Sequence, residues 1–146
     1  MRGVKLAMSI PILISAVAAG AAAEKPTAPA PQGKGMRVVY LVLLKKGPAW
    51  TAKETPESKA VQEAHMANIR AMWEAKKLII AGPFEDDGEV RGVFLFQVAS
   101  VEEARALAAS DPAVKAGRLV PEIHGWWVEQ AALPEAGSYC RKDATE

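Results

Sequence analysis

The chain has 146 residues, of which 50% are hydrophobic and 24% are charged, as expected for one globular domain. Its 18 basic and 17 acidic residues leave a net charge of +1, which argues against the basic surface of a nucleic-acid-binding protein. The single cysteine excludes an internal disulfide and a cysteine-based zinc cluster.

Residues 1–23 have the pattern of a signal peptide. Two basic residues precede an apolar run, and Ala21 and Ala23 form the A-x-A arrangement that signal peptidase reads. We therefore expect cleavage before Glu24 and a periplasmic or secreted protein, with no stable membrane insertion after cleavage. The alternative is a protein anchored in the membrane by an uncleaved N-terminal helix, although the apolar stretch barely reaches the length that spans a bilayer.

The rest of the chain divides into three parts. Residues 24–35 contain three prolines and predict an extended linker. Residues 36–130 form the predicted globular domain, and residues 131–146 are expected to be a flexible tail. Cys140 lies in that tail, where it is either an incidental free thiol or the site of a bond between chains.

The apolar pattern of the globular domain predicts the order β-α-β-β-α-β. Thr55 and Ser100 are good N-caps for the two helices. The predicted elements are a strand at 37–44, a helix from 55 to about 77, strands at 78–81 and 90–98, a helix at 101–110, and a strand at 122–129. This order favours an α+β, ferredoxin-like fold, in which two helices cover one face of a four-stranded antiparallel sheet.

Two layers leave one face of the sheet without cover. Trp126 and Trp127 are neighbours in the last strand, so one of them faces the helices and the other faces a partner or solvent. A bare apolar sheet face is too large for a stable monomer. We therefore expect a homodimer in which two sheets pack face to face.

His65 is the first candidate for a catalytic residue. It lies on the apolar face of the first helix, four positions after Val61 and four before Ile69. Imidazole is the side chain best suited to exchanging a proton near neutral pH. The alternative is a core histidine whose hydrogen bond goes to a backbone carbonyl or to the nearby Asn68.

Asp111 is the second candidate. With Pro112 it forms a natural helix stop, which is a sufficient structural reason for an aspartate at this position. In a ferredoxin-like fold, however, both helices pack on the same sheet face, so the end of the second helix can bring this carboxylate to His65. A carboxylate that accepts the ring N–H would fix the tautomer and raise the basicity of the other nitrogen.

Four further residues are weaker candidates for a substrate pocket. Gly82 allows a ligand to approach the backbone closely, and Pro83 follows it at the end of a strand. Tyr40 offers a phenol from the first strand, and Trp127 offers an aromatic wall. Each of them also has an ordinary structural explanation, as a strand exit or as packing. The acidic turn at 85–87 is expected to be solvated and not to hold a cation.

These motifs together resemble the YCII-related family. His65 is followed by a Gly-Pro pair at 82–83, by an Asp-Pro-x-x-x-x-Gly motif at 111–117 and by an aromatic strand. The resemblance extends over about residues 36–128. It implies a dimeric α+β barrel and a suspected active site formed by His65 and Asp111, and some relatives eliminate chloride from a hydroxyquinol-type compound.

The sequence contains no Walker loop, Rossmann glycine pattern or Gly-x-Ser-x-Gly elbow. This argues against hydride transfer with a bound dinucleotide, phosphoryl transfer and serine hydrolysis, and we expect no cofactor. Two histidines and one cysteine leave little material for a metal site, so we expect no metal. The favoured hypothesis is a cofactor-independent acid–base enzyme that eliminates or isomerises a small carbonyl or phenolic compound. The alternatives are a module that binds a small molecule without turnover and an accessory dimer in which the His–Asp pair only stabilises the core.

Overall fold

The computed structural model describes residues 35–138. The predicted signal peptide, the linker before Gly35 and Cys140 lie outside this range. The elements are β1 (Met36–Lys46), α1 (Pro56–Glu74), β2 (Leu78–Pro83), β3 (Val90–Phe96), α2 (Val101–Ser110), α3 (Pro112–Lys115) and β4 (Leu119–Glu129), followed by a short 3-10 helix, Gln130–Ala132. Among the described residues, no helix has the length and apolar character needed to cross a membrane.

The four strands form one antiparallel sheet in the order β2-β3-β1-β4. Strands β1 and β3 are central, which explains why both are apolar on both faces. The two long helices connect strands that are not hydrogen-bonded to each other. This confirms the predicted α+β, ferredoxin-like fold.

The helix starts follow from their caps. The Thr55 hydroxyl accepts a hydrogen bond from the Ser58 N–H, and the Ser58 hydroxyl accepts one from the Thr55 N–H. The Ser100 hydroxyl accepts from the Glu103 N–H, but the Glu103 carboxylate accepts from Ala99. The second cap thus differs by one residue from a reciprocal capping box, in which the Glu103 carboxylate would accept from the Ser100 N–H.

Some boundaries differ from the predicted ones. Helix α1 ends at Glu74 because Lys76 adopts a left-handed backbone conformation, with φ of 55°. Strand β4 begins at Leu119, three residues earlier than predicted, since Gly117 turns the chain with φ of 68°. The unpredicted helix α3 arises because Asp111 ends α2 and also caps the next turn.

The sheet separates two apolar clusters. The larger one lies between the sheet and the helices. Its members include Val42, Leu44, Ile69, Leu78, Phe94 and Phe96. The smaller one, called the outer cluster here, lies on the other side of the sheet. Its members are Val39, Ile79, Leu95, Val128 and Ala136. Together they show the period-two alternation expected of buried strands.

The segment 130–138 folds back onto the outer cluster. Leu133 and Ala136 pack there, and the Arg37 guanidinium donates to the backbone oxygens of Leu133 and Pro134. The Gly137 N–H donates to the Leu78 carbonyl oxygen at 3.1 Å. The sequence predicted a flexible tail from residue 131 onward. In the structure, apolar burial and hydrogen bonds hold this tail against the sheet as far as Ser138.

Candidate active site

His65 and Asp111 meet at the centre of the candidate site. His65 lies on α1 and is 9% exposed, and Asp111 lies between α2 and α3 with no exposed surface. Nδ1 of the imidazole is 2.9 Å from each carboxylate oxygen of Asp111. The ring also stacks on Phe94, with 5.8 Å between the ring centroids.

Two further donors hold the Asp111 carboxylate. The Asn68 side-chain amide donates to Oδ2 and the Ala113 N–H donates to Oδ1, both at 2.9 Å. The alternative interpretation of the sequence made Asn68 a hydrogen-bond partner of His65. In the structure Asn68 bonds to Asp111 instead. It orients the carboxylate that contacts His65.

Burial by itself would raise the pKa of Asp111. The hydrogen bond and charge of His65, followed by the hydrogen bonds from Asn68 and the Ala113 backbone, outweigh burial, so the pKa of Asp111 lies below its usual value. An ionised carboxylate only accepts hydrogen bonds. We therefore assign the proton between the two side chains to Nδ1 of His65, which leaves Nε2 as the nitrogen available to a ligand.

A pocket of about 370 Å³ lies beside His65, between α1 and the strands β2 and β3. Helix α1 contributes Gln62, His65, Met66, Ile69 and Trp73 to its wall. The strands and their flanking loops contribute Leu44, Trp50, Ala81, Arg91, Phe94 and Leu119, among others. The volume is within the range of small-molecule sites, and the lining is mostly apolar with a few polar groups, as is typical of such sites.

The weaker sequence candidates separate into two groups. Gly82 and Pro83 line the pocket at the end of β2. Tyr40 packs against the core between the sheet and the helices and is not part of the pocket wall. Trp127 is partly buried in β4 and also lies outside the wall.

Trp50, Gln62 and Arg91 are among the pocket residues that sequence reasoning missed. Gln62 precedes His65 by three positions, and this helical spacing was a usable signal. Trp50 lies in the loop before α1, and Arg91 lies on β3. For these two residues, local sequence contains no sign of the pocket, because only the packing of distant elements brings them there.

The acidic turn between β2 and β3 has a structural role. Oδ1 of Asp86 accepts from the Gly88 N–H at 2.7 Å, and Oδ1 of Asp87 lies 3.4 Å from both Lys46 Nζ and Arg91 Nη1. Within residues 35–138 there is no cluster of three or more metal-ligating side chains. The turn thus pairs with cations of the protein itself.

The model of the YCII-related domain matches residues 38–126, which is more than half of the chain. The chain belongs to the YCII-related domain family. The matched range of this YCII-related protein begins in β1 and ends in β4, so it contains both His65 and Asp111. No curated protein matches the sequence at a significant level.

Among solved structures, this YCII-related protein is similar to 5-chloro-2-hydroxyhydroquinone dehydrochlorinase of Burkholderia phenoliruptrix, solved in complex with 2,5-dihydroxybenzoquinone. The two share 20% sequence identity with a TM-score of 0.47. The alignment covers 60% of this chain and 92% of the other. Two proteins at this distance do not need to share a substrate.

Proposed function

We propose that this YCII-related protein is a cofactor-independent acid–base enzyme that eliminates or isomerises a small carbonyl or phenolic compound. His65 exchanges a proton with the bound compound, and Asp111 orients the imidazole of His65. One observation carries the proposal: the buried carboxylate lies 2.9 Å from Nδ1 of a histidine whose ring borders a pocket. This arrangement leaves Nε2 as a base toward a bound molecule.

The hydrogen bond to Asp111 supplies two effects. It keeps the Nδ1 proton in place, so that the lone pair is on Nε2. When Nε2 takes up a proton from the bound molecule, the imidazolium lies 2.9 Å from the carboxylate and forms an ion pair with it. The apolar surroundings, such as Ile69 and Phe94, lower the local dielectric and strengthen this interaction.

Both reaction types need only proton movement. In an isomerisation, Nε2 removes a proton from the carbon next to a carbonyl and returns it at the far end of the shifted double bond. In an elimination, the proton goes to the base, the electron pair of the broken bond forms a double bond, and chloride leaves with the electrons of its own bond. Neither requires an oxidant or a reductant.

The test uses two probe compounds. Chloride release from 5-chloro-2-hydroxyhydroquinone reports elimination, and conversion of 3-cyclohexen-1-one to its conjugated isomer reports isomerisation. We expect turnover of at least one probe and its loss in His65→Gln. The control is Arg105→Gln, because Arg105 is exposed on α2 and lies outside both the pocket wall and the outer face of the sheet.

Three outcomes would overturn the proposal. Turnover that survives in His65→Gln would remove the imidazole from the mechanism. Saturable binding of the probes without product would favour the alternative, a module that binds a small ligand. If neither probe binds and His65→Leu is as stable as the original protein, the buried pair serves only the core of an accessory dimer.

We propose that two copies pair through the sheet face that carries the outer cluster. Segment 130–138 covers only part of this face. Trp126 and Val120 are 48% and 45% exposed, and Leu41 and Leu43 are only partly buried on the same side of β1. An apolar surface of this kind on a small domain favours association.

We propose that the protein is exported and that residues 1–23 are removed. Export is supported by the A-x-A arrangement at Ala21 and Ala23. N-terminal sequencing of the protein from a cell extract tests it. A start at Glu24 in the periplasmic or secreted fraction is expected, whereas an intact N-terminus in the membrane fraction would favour the anchored form.

A further inference from the structure

Arg91 gives the pocket a positive charge. It lies on β3, and its side chain is 20% exposed. It is the permanently charged side chain of the pocket wall, and among the described residues no carboxylate joins that wall. Asp111 lies behind His65, so it neutralises the imidazolium and not the pocket itself.

The guanidinium of Arg91 is held in place from two sides. Nη1 donates to the carbonyl oxygen of Asp86 at 2.6 Å and lies 3.4 Å from Oδ1 of Asp87. The group also lies over the indole ring of Trp50, 5.2 Å from its centroid. A cation fixed in this way loses little conformational freedom when it binds an anion.

Two other cations surround the same indole. Lys46 Nζ lies 5.9 Å and the Arg118 guanidinium 5.3 Å from the centroid of Trp50. In the part of the chain that the structure describes, Asp87 is the one carboxylate that forms a salt bridge with any of these cations, and it pairs with Lys46 and Arg91. The rim of the pocket at Trp50 therefore carries an excess of positive charge, which attracts anions.

We propose that the pocket selects small ring compounds in an anionic form, and that Arg91 determines this selectivity by pairing with an anionic oxygen of the ligand. The ligand class is a six-membered ring that bears a carboxylate, an enolate or an ionised phenol. The mostly apolar wall, which includes Phe94 and Ile69, packs against the ring, and the guanidinium donates hydrogen bonds to the anionic oxygen.

The role of Arg91 in the reaction rests on the proposed function, whereas its role in binding an anionic ligand does not. Removal of a proton next to a carbonyl places negative charge on the oxygen. A fixed guanidinium in the same pocket as the base stabilises that charge. Arg91 and His65 thus have complementary roles toward one bound molecule.

The experiment compares benzoate with benzamide, which have nearly the same shape and differ in charge. Binding to the full chain is measured by calorimetry at two salt concentrations. We expect benzoate to bind about tenfold more tightly than benzamide at low salt, with a smaller ratio at high salt. In Arg91→Gln the two affinities become equal, whereas Arg91→Lys keeps part of the preference.

The matched control is Arg105→Gln, which removes an exposed arginine of α2 and leaves the preference unchanged. Equal affinities in the original protein, a preference that survives in Arg91→Gln, or no benzoate binding at all would each overturn the inference. His65→Gln separates the two proposals, since it keeps the benzoate preference while turnover is lost. A preference for benzoate without turnover of any probe would contradict the proposed function and leave this inference standing.

Discussion

Both carboxylate oxygens of Asp111 lie 2.9 Å from Nδ1 of His65, although the two residues are 46 positions apart in the chain. The helix stop that ends α2 is thus also the partner of the histidine on α1. The helix-stop interpretation and the predicted contact with His65 do not compete, because one carboxylate caps α3 and also bonds to the imidazole.

Replacement of Asp111 by asparagine tests the pairing. One amide oxygen cannot accept from His65, Asn68 and Ala113 together, and the amide favours the wrong imidazole tautomer. We expect kcat to fall by about 10²–10⁴-fold with little change in KM. The double variant with His65→Gln should be no slower than His65→Gln alone. Additive losses in the double variant would show that the two residues act independently.

The lowered pKa of Asp111 predicts how stability depends on pH. In the unfolded chain, aspartates take up a proton at about pH 4. In the folded protein, Asp111 takes up its proton at a lower pH. The stabilisation is therefore complete above about pH 4, and it is lost as the pH falls through the lower folded pKa. Urea unfolding between pH 7 and pH 3 should show a shrinking difference between the original protein and Asp111→Asn. A difference in stability that stays constant with pH would contradict the lowered pKa of Asp111.

Asn68 is predicted to be a positioning residue. Its amide holds Oδ2 of Asp111, so Asn68→Ala should raise the pKa of that carboxyl toward its ordinary value and cost about 1–2 kcal/mol of stability. We expect turnover to fall roughly tenfold, and the loss of stability between about pH 4 and pH 3 to become smaller, because the folded and unfolded carboxyl then take up a proton at similar pH. Glu63→Ala, on the exposed side of the same helix, is the control. An unchanged pH dependence of stability in Asn68→Ala would leave this residue with a packing role only.

Replacement of Trp126 by glutamate tests the proposed dimer. Because the side chain is 48% exposed, the change should leave the protomer folded, but it places a charge in the proposed interface. Sedimentation at micromolar concentration should show a dimer for the original protein and a monomer for Trp126→Glu. Ala109→Glu adds the same charge on exposed α2 and should remain dimeric. A monomeric original protein would contradict the pairing.

Truncation tests the segment that covers the outer cluster. Removal of residues 133–146 exposes Val39 and Leu95 and takes away the carbonyl acceptors of Arg37. We expect a loss of about 2 kcal/mol, or roughly 10 °C in Tm for a domain of this size. Removal of residues 139–146 alone is the control and should leave Tm unchanged. Turnover per folded molecule should persist in both, since no residue of 133–138 lines the pocket.

The elements and the histidine were readable from the sequence because their signals are local. Cap residues such as Thr55 and Ser100 start helices through bonds to residues three positions away. Apolar periodicity places His65 on the buried side of α1 in the same way. The boundaries at Lys76 and Gly117 were less accurate, since they depend on single backbone conformations that many sequences allow.

The sequence alone determined the order of strands and helices, the family motifs and the two residues of the proposed catalytic pair. Only the tertiary structure decided that His65 and Asp111 touch, that Arg91 and Trp50 reach the same pocket, and that segment 130–138 returns to the sheet. The physical reason is the sequence distance over which each kind of interaction acts. Caps and periodicity act within a few residues, whereas these contacts arise when helices cross a sheet and bring distant parts of the chain together.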